Sequence, residues 1–453
     1  MSTKTIDMTS GRILPILIRF SIPLILGSLF QQLYSFVDSA IVGNFVGNDA
    51  LTAIGVTGSL NFLVLGLTMG SAIGFSIPIS QSVGEGNEAD VNKNFWNGLY
   101  LTCLIGLSVS LGVTPFVRPL LMLMNTSAAF LDMATDYLTV ILMGQITVVL
   151  YNYLAGAIRA FGDSKRPFIF LVASSLLNVV LDLLFVLVIP MGVVGAAVAT
   201  VISQLISVLL CVWWIVRGRL IRTRDGEGNR LYLPSAGHIK KICLVGLPLG
   251  LEYSVCSIGN VVLQGSINTL GDVYATAQYC GERIRSIATI PMESVGTAMA
   301  TYAAQNFGAK KYDRIRQGVK CGLLIQGVYC VIAFLVLLLL GKPLVYLLLG
   351  SADTAEAILS AEYLFIISLL FIFHGSLMIF RNTVQGMGYG ASTLASSVME
   401  IIGRSLSGVL AVSFGSFFLI CVSAPMAWIF ALVCCIILFL IYVRKAEGAN
   451  RPD

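Results

Sequence analysis

Two aspartates lie inside segments of this chain that are otherwise almost wholly apolar: Asp38 in QQLYSFVDSAIVG and Asp182 in SSLLNVVLDLLF. A charge at the middle of a bilayer costs roughly 2.5–3.5 kcal/mol on insertion scales, so a side chain of this kind either does something or is neutralised by a partner. Asn178 stands four residues before Asp182, which on a helix puts amide and carboxylate on one face, one turn apart. Thr200, in GAAVATVISQ, adds a hydroxyl on a face of small residues suited to close helix packing. Two carboxylates, an amide oxygen and a hydroxyl are hard-oxygen ligands for a small cation, by analogy with Ca²⁺ and Mg²⁺ sites. The same groups could make a proton site, because two carboxylates brought together in low dielectric share a proton. A plainer reading stays open, in which Asn178 and Asp182 only hydrogen-bond neighbouring helices.

Other charges in apolar runs read differently. Glu400 and Arg404, in MEIIGR, are spaced i,i+4, and Glu282 with Arg285 lies within one turn. Pairs that neutralise themselves are expected to be structural. Glu252, in GLPLGLEYSV, has no partner in its own segment and is the acid of the second half suited to a cationic substrate or second ion, with a structural role the alternative. His374, in FIFHGSL, could shuttle protons, although a satisfied buried imidazole is the plainer expectation; His238 lies in a polar stretch and should be solvated. Phe30, Tyr34 and Phe36 could line a cleft, or simply pack and face lipid. None of the 10 cysteines forms a C-x-x-C pair, which removes the zinc and redox readings and leaves small buried hydrophobes.

The elements that must position these groups follow from composition. The chain has 453 residues, 57% hydrophobic and 11% charged, against about a quarter charged in soluble domains. About twelve apolar runs reach the roughly 18 residues needed to span a bilayer. The polar start, MSTKTIDMTSGR, followed by a long apolar run, is unlike a cleaved signal peptide. With both termini in the cytoplasm, 22 of the 28 Lys and Arg fall on the inner side, among them Lys4, Arg381 and Arg451, and only Arg118 and Lys342 on the outer. That asymmetry sets the expected orientation and explains the net charge of +5 without nucleic acid. Pro23 lies inside the first run, 15 residues or about four turns before Asp38, and should bend that helix. Ion occupancy at Asp38 could bias the bend between two states.

The runs form two related sets of six. Gly47, Thr52, Ala53, Gln81 and Gly84 match Gly271, Thr276, Ala277, Gln305 and Gly308 at a constant offset of 224. SIPL at 21–24 meets GLPL at 246–249, and RAFG at 159–162 meets QGMG at 385–388. The expected organisation is a cytoplasmic N-terminal segment 1–12, a first lobe 13–216, a cytoplasmic linker 217–241, a second lobe 242–443 and a cytoplasmic tail 444–453. Repeats of six insert the same way round, related by an axis along the membrane normal, with a cleft between lobes that opens to one side at a time. No G-x-x-x-x-G-K-[ST] loop and no H-E-x-x-H occurs, so uphill transport would draw on an ion gradient rather than on a nucleotide bound in that way.

The stretches QQLYSFVDSAIVGNFVG, RAFGDSKRPF with LNVVLD, AAQNFGAKKYDRI, and the acid–arginine pair of the eleventh run together resemble the multidrug and toxic compound extrusion (MATE) family, from about residue 12 to 443. The resemblance implies an all-α membrane protein: twelve transmembrane helices in two pseudo-symmetric six-helix bundles forming a V. It implies export of amphipathic, often cationic, drugs or toxins in exchange for Na⁺ or H⁺, with no other cofactor. Within the family the chain looks closest to the DNA-damage-inducible-F-like branch, whose first-lobe cation site matches Asp38, Asn178, Asp182 and Thr200, with Tyr137 of TDYLTV. The same four oxygen-bearing residues would be the metal ligands if Na⁺ is the ion. The bending proline matches Pro23, and a cleft glutamine is similar to Gln31. Branches with a second-lobe site use a seventh-helix glutamate, which Glu252 resembles, and a tenth-helix aspartate, but no Asp lies in 354–390. The expected setting is a bacterial cytoplasmic membrane, with the protein acting as a monomer. The runner-up is a flippase of lipid-linked sugar or peptidoglycan precursors, which would want a cleft lined with Arg or Lys. A membrane-embedded enzyme comes third, since no nucleophile–base or metal set is visible.

Overall fold

The computed structural model describes residues 6–124, 126–350 and 353–448, without the side chains of 257, 258 and 261. The outermost parts of the expected terminal segments, with Lys4 and Arg451, lie outside the described residues. The regular elements of the described residues are all helices, and an isolated bridge joins Arg224 to Arg230. The first half contains α1 (Ile13–Phe45), α2 (Asn48–Glu85), α3 (Glu88–Gly112), the short α4 (Val117–Leu123), α5 (Ala128–Met143), α6 (Gln145–Ala160), α7 (Lys165–Leu183) and α8 (Gly192–Arg217). The second contains α9 (Ala236–Leu270), α10 (Asp272–Gly308), α11 (Tyr312–Leu349), α12 (Ala355–Leu369), α13 (Phe371–Gly386), α14 (Gly390–Phe414), the short α15 (Phe417–Cys421) and α16 (Ser423–Gly448).

Among these, eight helices are long and apolar enough to cross a membrane, and the bent pairs α5/α6 (40°) and α12/α13 (48°) bring the number to ten. The remaining two expected runs form α9 and α10, of 35 and 37 residues. Both have spanning length, but residues such as Glu252, Gln264, Glu282, Arg285 and Glu293 make them less apolar than the other runs. Counting each bent pair once, each half supplies six helices in the same order. The bends explain why a single apolar run reads as one helix in the sequence and folds as two.

The repeat extends to the backbone. Gly47 before α2 and Gly271 before α10 have φ of +118° and +117°, and Gly162 and Gly388 have +82° and +93°. A side chain is strained at such angles, so glycine at both copies is a requirement of the turn. At Gly162 there is no room either: a Cβ would lie 2.1 Å from the carbonyl oxygen of Ile6, whose amide donates to Gly162. Pro23 and Pro248 lie inside α1 and α9 at matching places.

The helices group into two compact units, one of Ile6 and 26–251, the other of 7–25 and 252–448. The division falls inside α1 and α9, not in the stretch 217–241 expected as a linker. That stretch is not a loose tether. Asn92, Trp96 and Tyr100, spaced by four on α3, bind it through the Arg222 amide, the Arg222 carbonyl and the Tyr232 carbonyl, and Asn97 accepts from Ser235. His238, expected to be solvated, is half-buried between Ser235 and Asp90, 2.9 and 3.2 Å away. Hydrogen bonds from Asn229 and neighbouring amides hold the Asp225 carboxyl below the usual carboxylate range, closing the turn between the bridged arginines.

In the second unit, Met8 is wholly buried. Its amide donates to Gln305 and its carbonyl accepts from Asn306 and Arg314. Burial works against ionisation of the neighbouring Asp7, yet hydrogen bonds from Ser10 and Thr9 outweigh it and keep that carboxyl low. Each unit has its own apolar core, built in the first around Phe75, Phe95 and Tyr153 and in the second around Tyr363, Phe371 and Trp428.

Candidate functional site

In the first unit four helices bring together the residues that spacing and resemblance singled out. α7 carries Ser174, Asn178 and Asp182 at intervals of four, so all three project from one face, and all are buried. α8 carries Thr200 and Gln204 at the same interval, and α1 carries Gln31, Tyr34 and Asp38. Asp182 is the last polar residue before the chain widens into a π-helical turn, Leu184–Val188, a feature that recurs beside functional sites.

The Asp38 and Asp182 carboxyls are within hydrogen-bonding reach of each other. Two carboxyl groups bond only when one holds a proton; otherwise a cation must lie between them or they must part. Asn178 donates to Asp182 at 3.5 Å. One oxygen on each of Asp38, Asn178 and Asp182 is buried with no hydrogen-bond donor among the described residues. Three unsatisfied acceptors at one place suit a proton or a small cation, either of which removes the cost of leaving them bare. Thr200 donates to the Ala196 carbonyl at 3.0 Å, which leaves its lone pairs free. Tyr137, buried on α5, is near enough to both aspartates to feel their charge. Tyr34 hydrogen-bonds Gln31 and Gln204.

Beside these groups lies a small cavity, lined by Tyr34, Ser174, Asn178, Thr200, Ser203 and Gln204 among others, with room for roughly one water molecule. Ser207 donates to Ser174 at 2.6 Å, carrying the polar seam one turn further along both helices. Gln204, Ser174, Ser203 and Ser207 were not singled out in the sequence. The four-residue step from Thr200 and Asn178 would have found Gln204 and Ser174.

The second unit corrects several expectations. Glu252 is not a vacant acid. Arg381 stands 3.3 Å from one carboxylate oxygen, while Gln385 and Thr393 donate to the other at 2.9 and 3.3 Å. Arg381, placed above on the cytoplasmic rim, is buried within α13, where it also binds Glu400. The Glu400–Arg404 pair, 3.7 Å, is therefore part of a chain running Glu252–Arg381–Glu400–Arg404, and Arg404 further bonds Asn260 at 2.5 Å. Two acids and two guanidiniums cancel, which removes the charge cost without leaving a vacancy. Glu282 and Arg285 form an ion pair, with the guanidinium over Trp428.

His374 is buried but not satisfied. Neither ring nitrogen has a hydrogen-bond partner among the described residues; Trp428 stacks on the ring at 4.7 Å, and Glu293 stands 4.0 Å from Nε2. Glu293, an acid inside α10, was missed in the sequence because no partner or repeat landmark accompanies it. Among the described residues no group of three or more His, Cys, Asp or Glu converges as a metal site, so an ion at Asp38 and Asp182 would rely on amide and hydroxyl oxygens for the rest of its shell.

Two six-helix halves that share one plan, with a pair of buried acids in the first, define a multi-pass membrane protein of repeated architecture. The family model MatE matches residues 23–184 and 248–410, one copy of the repeat each, and the chain belongs to that family. It is similar to "Probable multidrug resistance protein YpnP" of Bacillus subtilis, with 28% identity covering 85% of this chain and 85% of that one. It is also similar to an "FAD transporter" of Shewanella oneidensis, with 21% identity and the same coverage of both. A solved structure described as the outward-facing conformation of a multidrug resistance MATE family transporter matches with a TM-score of 0.90 over 100% of both chains, at 22% identity. That last likeness is one of fold.

Proposed function

We propose that this protein exports amphipathic organic cations, driven by exchange for H⁺ or Na⁺ at Asp38 and Asp182. The observation that carries this reading is the meeting of two acids from α1 and α7 in one buried environment, with three oxygens short of a donor. Family membership and the name of the Bacillus relative support drug export. The acidic character of the first unit's site supports a cationic cargo over an anionic lipid headgroup.

In the proposed cycle the ion enters from outside and neutralises the pair. Asn178 and Thr200 turn an oxygen toward it, and Tyr137 and Tyr34 close the site. Since Asp38 lies on the helix that contains Pro23, neutralisation changes the balance between two shapes of α1 and so the affinity for substrate. We further propose that the protein works as a monomer in a bacterial cytoplasmic membrane with both termini inside.

The test is ethidium efflux from proteoliposomes under Na⁺ and pH gradients imposed separately. Export should follow one of the two gradients and be lost in Asp38→Asn and in Asp182→Asn, with expression and folding intact. Undiminished gradient-driven export by either variant would overturn the coupling role.

A further inference from the structure

Around His374 the buried guanidiniums of the second unit are each paired with an acid, and one neighbouring acid has no ion pair. Arg381 and Arg404 are committed to Glu252 and Glu400, and Arg285 is committed to Glu282. These three guanidiniums are the cations that His374 feels. Glu293 has no ion pair of its own: Thr289 hydrogen-bonds it, and Arg285 acts on it only from beyond ion-pair distance. It lies 21 residues into the 37-residue α10, well away from either end, and no Arg or Lys is within ion-pair distance of it among the described residues. Its side chain is 59% exposed, unlike the 5% and 9% of Glu400 and Glu252.

An exposed carboxylate without an ion pair on a spanning helix does not face lipid; it faces water or a charged ligand. Its surroundings are built to hold it. Pro291, two residues earlier, interrupts the hydrogen-bond ladder of α10. On either side of it, side chains of α11 also bond this stretch: Tyr329 donates to the Ala288 carbonyl and Gln326 to that of Met292, at 2.8 and 2.9 Å. Behind the carboxylate stands His374, with 7% exposure and both nitrogens unpartnered, its ring pinned by Trp428. A neutral imidazole carries one N–H. With that proton on Nε2, a movement of about 1 Å closes the present 4.0 Å gap to a hydrogen bond.

We propose that Glu293 is the anionic contact for the charged head of the exported cation in the second unit, and that His374 is the positioning residue that holds its carboxylate from behind. This rests on the export reading above and names the residue pair on which a cargo's positive charge is felt, apart from the aspartates that exchange the ion. The ligand class is a lipophilic cation, and the charge itself is what is recognised.

The experiment measures binding of tetraphenylphosphonium and of its neutral counterpart triphenylphosphine oxide to the full-length protein in lipid nanodiscs. Glu293→Gln keeps size and polarity at an exposed position, so folding should survive, as checked by size exclusion and thermal unfolding. Losing a desolvated charge contact should weaken tetraphenylphosphonium binding by about tenfold or more while the neutral probe changes by less than about twofold. His374→Leu should weaken the cation alone by about threefold to tenfold, and His374→Gln, which restores an N–H, should recover most of it. Unchanged cation affinity in Glu293→Gln, or equal weakening of both probes, overturns the proposal. If the wild type exports and binds the cation but Glu293→Gln does so equally well, only this inference fails. If the wild type binds neither tetraphenylphosphonium nor ethidium, the export reading fails and takes this inference with it.

Discussion

Arg381 illustrates how a side chain unremarkable in the sequence can govern its surroundings. It touches Glu252 and Glu400 at once, and both acids are about as deeply buried as it is. Removing one member of a buried ionic group strands the others, and such breaks cost about 3–5 kcal/mol. Arg381→Met should therefore lower the thermal unfolding temperature markedly in detergent. Adding Glu252→Gln and Glu400→Gln should restore part of the loss, because the stranded charges are then gone. If the single variant unfolds like the wild type, the network contributes little. The periodic members of the first unit's site were legible by contrast: Asn178 with Asp182 is a four-residue step, and the same step leads to Ser174 and Gln204. That Asp38 meets Asp182 was not legible, since no spacing relates residues 144 positions apart.

At the scale of elements, the helices are brought together by small residues where backbones must approach. Gly74 of α2 and Gly246 of α9 meet so closely that a Cβ on Gly74 would lie 2.5 Å from the Gly246 Cα. Backbone cannot move aside as a side-chain tip can, so Gly74→Ala should cost about 1–3 kcal/mol by overpacking. Gly55, on the same helix with nothing within 4 Å of its added Cβ, is the control: Gly55→Ala should be neutral or slightly stabilising. Thermal unfolding of the two variants side by side checks this, and equal behaviour would remove the close crossing as an explanation. The left-handed glycines 47 and 271 show why the repeat is visible in the sequence at all. Both copies need a residue without a side chain at the same turn, so the landmark appears twice at a fixed offset. Helix breaks such as α5/α6 leave no such mark, because Gly144 between them adopts an ordinary right-handed backbone.

For the whole molecule, the basic residues outside the spanning helices predict an orientation. Without Arg381, now placed inside a helix, the remaining Lys and Arg still gather on the side of both termini. A fluorescent-protein fusion at the C-terminus should glow, and alkaline phosphatase inserted before α5, at Ser127, should be active. The reverse pattern would invert the topology. By itself the sequence determined what depends on composition and on local periodicity: a helical membrane protein, two repeated halves, and the polar residues sharing a face of one helix. Those follow because a bilayer demands long apolar helices and because helical geometry is the same everywhere along a chain. Only the tertiary structure decided which charges meet. It joined Asp38 to Asp182, closed Glu252 onto Arg381, and left Glu293 facing His374 without an ion pair, because electrostatics depends on distance in space and helix packing sets those distances.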